Sequence, residues 1–308
     1  MIACAACGGP LDERAALGSF DRLYGKPGDY TVAICPACGS GRTLPLISSD
    51  ELAGLYPSQY DAHGLPANPL LQRLATALFE RRYRRALASA PLSTLAERVP
   101  GTLLDVGSGR GDLGVVLGRN GWRVTGLEPS QEAVAEARRR GLDSEEGTLT
   151  TGPAREGGYD AVVFSHSLEH VVEPFDDLSV AHELLQPGGL VVITLPNFGS
   201  WQARRFGSRW FHLDLPRHRT HFTERGLETL LRRTGFRQIR SATSTSADGL
   251  PMSVQYRLLG HRRLAARAGR YVSIAAALAL VPVTVAADKV AGAGDLLHAV
   301  AEKPQDAD

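Results

Sequence analysis

The sequence has no surplus of charge of either sign: 34 Lys and Arg stand against 33 Asp and Glu over 308 residues, a formal net charge of +1. That excludes a protein whose entire surface is a footprint for polyanions, although local basic stretches are still allowed. Cysteine is scarce, four residues in all, and MIACAACGG at the N-terminus has neither the basic start nor the long apolar core of a secretory signal. The expectation is a cytoplasmic protein with reduced thiols. No internal repeat is evident, which argues against a solenoid. Long apolar runs are nearly absent. The exception is YVSIAAALALVPVTVAA, Tyr271–Ala287; as a helix it would reach about 25 Å against a hydrocarbon core of about 30 Å, and Pro282 interrupts it.

What the chain does have is 43% hydrophobic residues, enough for a full α/β core with smaller appendages. Four segments are expected. Residues 1–46 form a compact module around Cys4, Cys7, Cys35 and Cys38. Residues 47–100 turn helical, with Leu70, Leu74, Leu78 and Leu71, Ala75, Phe79 at helical spacing, and read as a connector or lid. Residues 101–246 alternate strand and helix, from TLLDVG through WRVTGLEP and YDAVVFSHS to LVVITLPN and FRQIRSA, which implies a mostly parallel sheet covered on both faces. Residues 247–308 read as a basic helix, the apolar run and a short closing strand over GAGDLLHAVAEKP.

Ligands in such sheets bind at the carboxyl ends of the strands. There the stretch LLDVGSGRGDLG, residues 103–114, admits two registers. Gly109, Gly111 and Gly114 satisfy the G-x-G-x-x-G spacing of a dinucleotide fold, whereas Asp105, Gly107, Gly109 and Gly111 satisfy D-x-G-x-G-x-G. Asp105 separates them, because an acid at this point would repel a pyrophosphate but suit a cationic amino group. Glu128, ending the next strand, is placed to accept hydrogen bonds from both ribose hydroxyls of either ligand.

From Gly101 to about Ala242 the chain resembles a class I S-adenosylmethionine-dependent methyltransferase, with LDVGSGRG, LEPS, YDAVVFSHSLEHV and LLQPGGLVVITLPN matching successive family motifs. The resemblance implies a Rossmann-like α/β sheet with helices on both faces; the cysteine spacing adds a small N-terminal zinc-ribbon-like module and the apolar run a C-terminal helical apolar segment. The resemblance also implies that Asp105, Gly107, Ser108, Gly109 and Gly111 hold the methionine portion of S-adenosylmethionine, Glu128 the ribose and Pro129 with Ser130 the adenine edge, while Ser165 and His166 line the pocket. The contact to the adenine amine is left open among Glu145, Glu146 and Thr148.

HSLEHV gathers His166, Glu169 and His170 at a strand end, with His170 expected as base or acceptor contact and Glu169 beside it. The stretch is also similar to ubiquinone-type O-methyltransferases, where an E-x-x-E-H pattern goes with a divalent metal; here His166 stands at the first acid, and a His166, Glu169, His170 ligand set is an open reading. A second dense segment, WFHLDLPRHRTHF over 210–222, adds His212, Asp214, Arg217, His218 and His221. His218 is expected among the catalytic groups. Arg217 and His218 are expected to reach a phosphate or carboxylate of the acceptor, with an internal Asp214–Arg217 pair as the alternative.

The two C-x-x-C-G pairs supply four thiolates for a tetrahedral structural Zn²⁺, which so small a module would need in order to fold. The module's cations Arg14, Arg22, Lys26 and Arg42 are offset by Asp12, Glu13, Asp21 and Asp29, which argues against a nucleic-acid partner. The expected activity is methyl transfer to O or C of a small-molecule, glycan or lipid-linked acceptor. The alternatives are a zinc-ribbon-guided RNA methyltransferase and a non-catalytic nucleotide-binding protein. A basic helix leading into an apolar one adds the expectation of peripheral membrane contact through residues 255–287.

Overall fold

The computed structural model describes residues 2–48, 51, 54–55, 77, 81, 93–151, 157–260, 282 and 284–305. The connector residues Leu70, Leu71, Leu74, Ala75, Leu78 and Phe79 and the C-terminal residues 261–281 lie outside them. Among the described residues no helix is long and apolar enough to cross a membrane, so the expected apolar helix and its membrane contact gain no support.

The chain opens with an antiparallel sheet of β1 (Asp12–Phe20), β2 (Asp29–Ile34) and β3 (Gly41–Leu44). After α1 (Ser93–Glu97) the alternating part begins: β4 (Thr102–Val106), α2 (Asp112–Arg119), β5 (Arg123–Glu128), α3 (Gln131–Arg139), β6 (Asp143–Glu146), β7 (Tyr159–Ser165), α4 (Pro174–Leu184) and β8 (Leu185–Pro196). Then come α5 (Trp201–Phe206), the two-residue β9 (Thr220–His221), α6 (Glu224–Arg233), β10 (Arg237–Ser244), α7 (Gly249–Leu259) and β11 (Leu296–Glu302).

Local chemistry explains the helix starts. Ser130 accepts from the Ala133 N–H at 3.3 Å, Thr223 accepts from Gly226 N–H at 3.1 Å, and Pro174 opens α4 where its missing N–H costs nothing. The strands are apolar runs because both faces of their sheet are covered. Leu104, Val106, Val162, Phe164, Val191 and Ile193 face α4 and α6, whereas Leu103, Ala161, Val163 and Val192 face α1 and α2. Each fully buried large side chain contributes about 1.5–3 kcal/mol.

The main sheet has the order β10-β11-β8-β7-β4-β5-β6. β6, β5, β4, β7 and β8 run parallel, while β11 is antiparallel to both of its neighbours. The residues expected to close the sheet as a short strand therefore enter it between β8 and β10, and six of the seven are buried. Strand order reverses between β4 and β7, so the turns leaving these two strands diverge and open a crevice.

The cysteine module does not stand apart. β3 pairs with β9, Gly41 against His221 and Arg42 against Thr220, so a strand from the 210–222 segment completes the N-terminal sheet. Cys4, Ala6, Cys35 and Cys38 pack into the same core as Phe222, Leu227 and Leu230. Tyr30 and Val32 of β2 share a further core with Trp210, Leu213 and Leu215.

Candidate functional site

The turn after β4 has Gly107, Gly109 and Gly111 at φ of 71°, 54° and 80°, a left-handed conformation that side chains tolerate poorly. At Gly107 a Cβ would overlap the Ser167 side chain. At Gly111, which caps α2, it would come within 2.7 Å of Leu142, so this glycine serves packing of α2. Ser108 turns its hydroxyl toward Gly126, where an added Cβ would lie 2.6 Å away, and the hydroxyl is buried without a hydrogen-bond partner.

Asp105 is 1% exposed and its Oδ2 has no hydrogen-bond partner. Burial, reinforced by Glu128, pushes its carboxyl up to about 7. A buried acid in this state suits a cationic partner, as the amino group of S-adenosylmethionine would be. Glu128 is fixed by two main-chain donors, Gly109 N–H to Oε2 at 2.9 Å and Ser130 N–H to Oε1 at 3.0 Å. Each carboxylate oxygen retains a lone pair for a ribose hydroxyl. Pro129 is exposed beside it, and Gly147 N–H reaches Glu128 O at 3.1 Å, bringing the 147–149 turn alongside. The donor set and the glycine cradle thus fit a cationic nucleoside. An acid with a bare oxygen at the turn does not fit a pyrophosphate.

Ser165 ends β7, and His166 follows with a φ of 56° and a side chain 35% exposed. The next residue donates its hydroxyl, Ser167 Oγ to Val106 O at 2.6 Å, which holds the 166–170 turn against the glycine turn. Glu169 is 2% exposed with both carboxylate oxygens buried and without hydrogen bonds; His166 Nδ1 lies 3.7 Å from Oε1, beyond hydrogen-bonding reach. Burial acts to raise its carboxyl, and His166, His170 and His218 outweigh burial and keep it low.

The structure brings His218 to this turn from 48 residues downstream of His170: the two rings meet edge to face with centroids 4.6 Å apart. One carboxylate oxygen of Glu169 and one ring nitrogen each of His170 and His218 lie within 4.8 Å of one another, close enough that the three could hold a metal ion. His170 Nδ1 is 3.1 Å from Arg217 O and His218 Nδ1 is 2.8 Å from His212 O. A carbonyl only accepts, so both imidazoles carry the proton on Nδ1 and present Nε2 as the basic nitrogen. Burial and His170 hold His218 down to about 4, and burial holds His221 down to about 3. Both rings are neutral at neutral pH.

Arg217 departs from expectation. It is fully buried, donating to Asp21 Oδ1 at 2.7 Å and Oδ2 at 3.1 Å and to Asp214 Oδ1 at 2.6 Å, so no donor is turned toward an acceptor anion. The internal Asp214 pair, the alternative reading, is what forms, with Asp21 added from the module. Sequence reasoning missed Thr43, and it counted Asp21 only as an offset to the module's cations, not as a partner of Arg217. The only sign of Asp21 is an acid in a turn, where it collects N–H groups of Leu23, Tyr24 and Lys26 at 3.1–3.2 Å.

The two cysteine pairs form matching knuckles. Cys4 N–H to Gly9 O and Gly8 N–H to Cys4 O, each 2.8 Å, repeat as Cys35 N–H to Ser40 O and Gly39 N–H to Cys35 O at the same length. Gly8 and Gly39 take up the positive φ, 78° and 76°. Sulfur separations are 3.7 Å for Cys4–Cys38 and 3.5 Å for Cys7–Cys35, with all four sulfurs within 4.8 Å and none in a disulfide. Zn–S bonds of about 2.3 Å set tetrahedral edges of about 3.8 Å, so the donor set fits zinc.

Residues 79–241 match the family described as methyltransferase domain. The chain belongs to that family, whose fold and cofactor here are those of S-adenosylmethionine-dependent methyltransferases. It is similar to a ubiquinone biosynthesis O-methyltransferase of Xylella fastidiosa (strain 9a5c), 30% identical over 161 residues that cover 48% of this chain and 58% of that one. It is 28% identical over 232 residues to a 37.1 kDa protein in transposon TN4556 of Streptomyces fradiae, covering 65% of this chain and 66% of the relative. The chain thus spans 58–66% of the length of these two relatives. In fold alone it is similar to a chain in the complex between the Haloferax volcanii Trm112 methyltransferase activator and a methyltransferase, with a TM-score of 0.50 at 18% identity, over 77% of this chain and 97% of that one.

Proposed function

We propose that the protein transfers a methyl group from S-adenosylmethionine to an oxygen or carbon of a small-molecule acceptor, free, glycan-borne or lipid-linked, seated between the 166–170 turn and the 210–222 segment. The observation that carries this reading is the bond from Ser167 to Val106, which sets the histidine turn directly on the cofactor cradle. The names of the ubiquinone biosynthesis relatives favour oxygen.

In this reading Asp105 binds the amino group, Gly107 and Gly109 let the backbone approach, Glu128 accepts the ribose hydroxyls, Pro129 borders the adenine, and Ser165 and His166 line the methyl side. When bound, S-adenosylmethionine supplies an electrophilic methyl on a sulfonium whose charge disappears on transfer. The chain must therefore align the acceptor, exclude water and remove a proton. His170, with its proton fixed on Nδ1, takes the acceptor proton at Nε2. Glu169 stabilises the resulting imidazolium, and His218 borders the same space. Cys4, Cys7, Cys35 and Cys38 hold a structural Zn²⁺ that ties the ends of the module together. Two of the module's four cations are turned inward, Arg42 to Glu173 and Ala3 O, Arg22 to Ser208 O and Gly260 O, which speaks against an RNA-guiding role.

The test is calorimetric titration with S-adenosylhomocysteine and with NAD, followed by incubation with methyl-labelled S-adenosylmethionine and fractionated extract. Preference for NAD overturns the reading. His170→Ala should bind the cofactor as the wild type does but transfer label at least ~100-fold more slowly, the usual scale for a general base; a wild-type rate returns His170 to scaffolding.

A further inference from the structure

The cysteine module reaches the histidine cluster through a side chain that its docking does not require. Docking is already secured by the main-chain pairing of β3 with β9 and by Thr223 Oγ1 donating to Cys38 O at 2.7 Å. Thr43, on β3 and 3% exposed, points its hydroxyl at two histidines of the opposite segment. Its Oγ1 lies 2.6 Å from His218 O and 2.9 Å from His221 Nε2. A hydroxyl has one proton and a carbonyl can only accept, so Thr43 donates to His218 O and must accept from His221 Nε2–H. One residue thereby fixes the main chain of His218 and the tautomer of its neighbour.

The rest of the surroundings leave His218 little other freedom. Its Nδ1–H is held by His212 O, and Asp214 Oδ2 stands 3.9 Å from Nε2. Asp214 is itself in the left-handed region, φ 34°, and is clamped by Arg217, whose far side is held by the module's Asp21. From the turn after β7, Glu169 and His170 face the same ring, and from its own segment Asp214 and His221; the module's Thr43 reaches the His218 main chain and the His221 ring.

We infer that Thr43, a residue of the cysteine module, is a positioning residue for His218 and His221, which makes the module a working part of the acceptor face. This rests on the reading of the His170–His218 cluster as that face. It gives the module a task that needs neither nucleic acid nor a separate substrate: its fold holds one hydroxyl where two imidazoles need it.

The test uses the full chain, saturated with S-adenosylhomocysteine and carrying ¹⁵N-labelled histidine, with His218→Ala and His221→Ala spectra to assign the rings. Wild-type His221 should show a protonated Nε2 and a bare Nδ1. Thr43→Val, which keeps shape and removes the hydroxyl, should convert His221 to a mixture of tautomers and shift the His218 ring signals, at unchanged zinc content and unchanged cofactor affinity. Thr43→Ser should restore the wild-type pattern. A wild-type His221 protonated on Nδ1, or a folded Thr43→Val protein with unaltered His218 and His221 signals, overturns the inference. If Thr43→Val does not fold, the wild-type tautomer and the Ser variant still decide it. Loss of cofactor binding by the wild type would instead overturn the methyltransferase-site reading, and it is read from the calorimeter, not from the imidazoles.

Discussion

Arg217 and Asp21 are joined by two hydrogen bonds, 2.7 and 3.1 Å long, between residues 196 positions apart and both fully buried. Removing one partner from such a cluster leaves an uncompensated charge in the interior. Arg217→Ala, which strands Asp21 and Asp214 together, should therefore cost about 3–5 kcal/mol of stability. Denaturant unfolding followed by circular dichroism measures this, and a variant as stable as the wild type would show that the acids are not held by the guanidinium.

The cofactor cradle yields a pH dependence. The folded-state carboxyl of Asp105 titrates near 7, above the ordinary carboxylate value. At this carboxyl the native state therefore binds more protons than the unfolded chain between about pH 4 and 7, so the contribution of Asp105 to the stability of the cofactor-free protein falls as pH rises through that window, opposite in sign to that of His218 and His221. Asp105→Asn should flatten that fall. An ammonium partner needs the ionised acid, so affinity for S-adenosylhomocysteine should rise from pH 6 to pH 8 and level off; a flat profile measured by calorimetry would dissociate Asp105 from the amino group.

For the same cradle, Asp105→Ala and Glu128→Ala should each weaken cofactor binding by about 1–3 kcal/mol, the scale of hydrogen bonds to charged groups. Unchanged affinity in both variants, at preserved thermal stability, would discredit the assignment.

Zinc in the cysteine cluster is checked by metal analysis of the purified protein. One equivalent is expected, and Cys35→Ser should release it and lower the melting temperature, since structural zinc contributes on the order of 10–16 kcal/mol to small modules. Because Cys35 packs in the same core as Phe222 and Leu227, unfolding should be felt in the methyltransferase sheet as well. A metal-free wild type of equal stability would end the zinc reading.

Features made of neighbouring residues were legible in the chain itself: the strand, turn and helix around Asp105 to Gly111 and the twin Cys-x-x-Cys-Gly knuckles. Their geometry is set by φ preferences and bonds spanning a few positions, so spacing alone reports it. The closing strand was visible as a strand but not in its place, because insertion between β8 and β10 depends on partners about 50 and 100 positions away. Only the tertiary structure decided that Arg217 is spent inside the protein, that His218 meets His170 and Glu169, and that Thr43 and Asp21 belong to the same neighbourhood. Those contacts join segments whose order in the sequence holds no trace of their distance, since packing of an edge strand on a buried loop is selected by shape and desolvation across the whole fold.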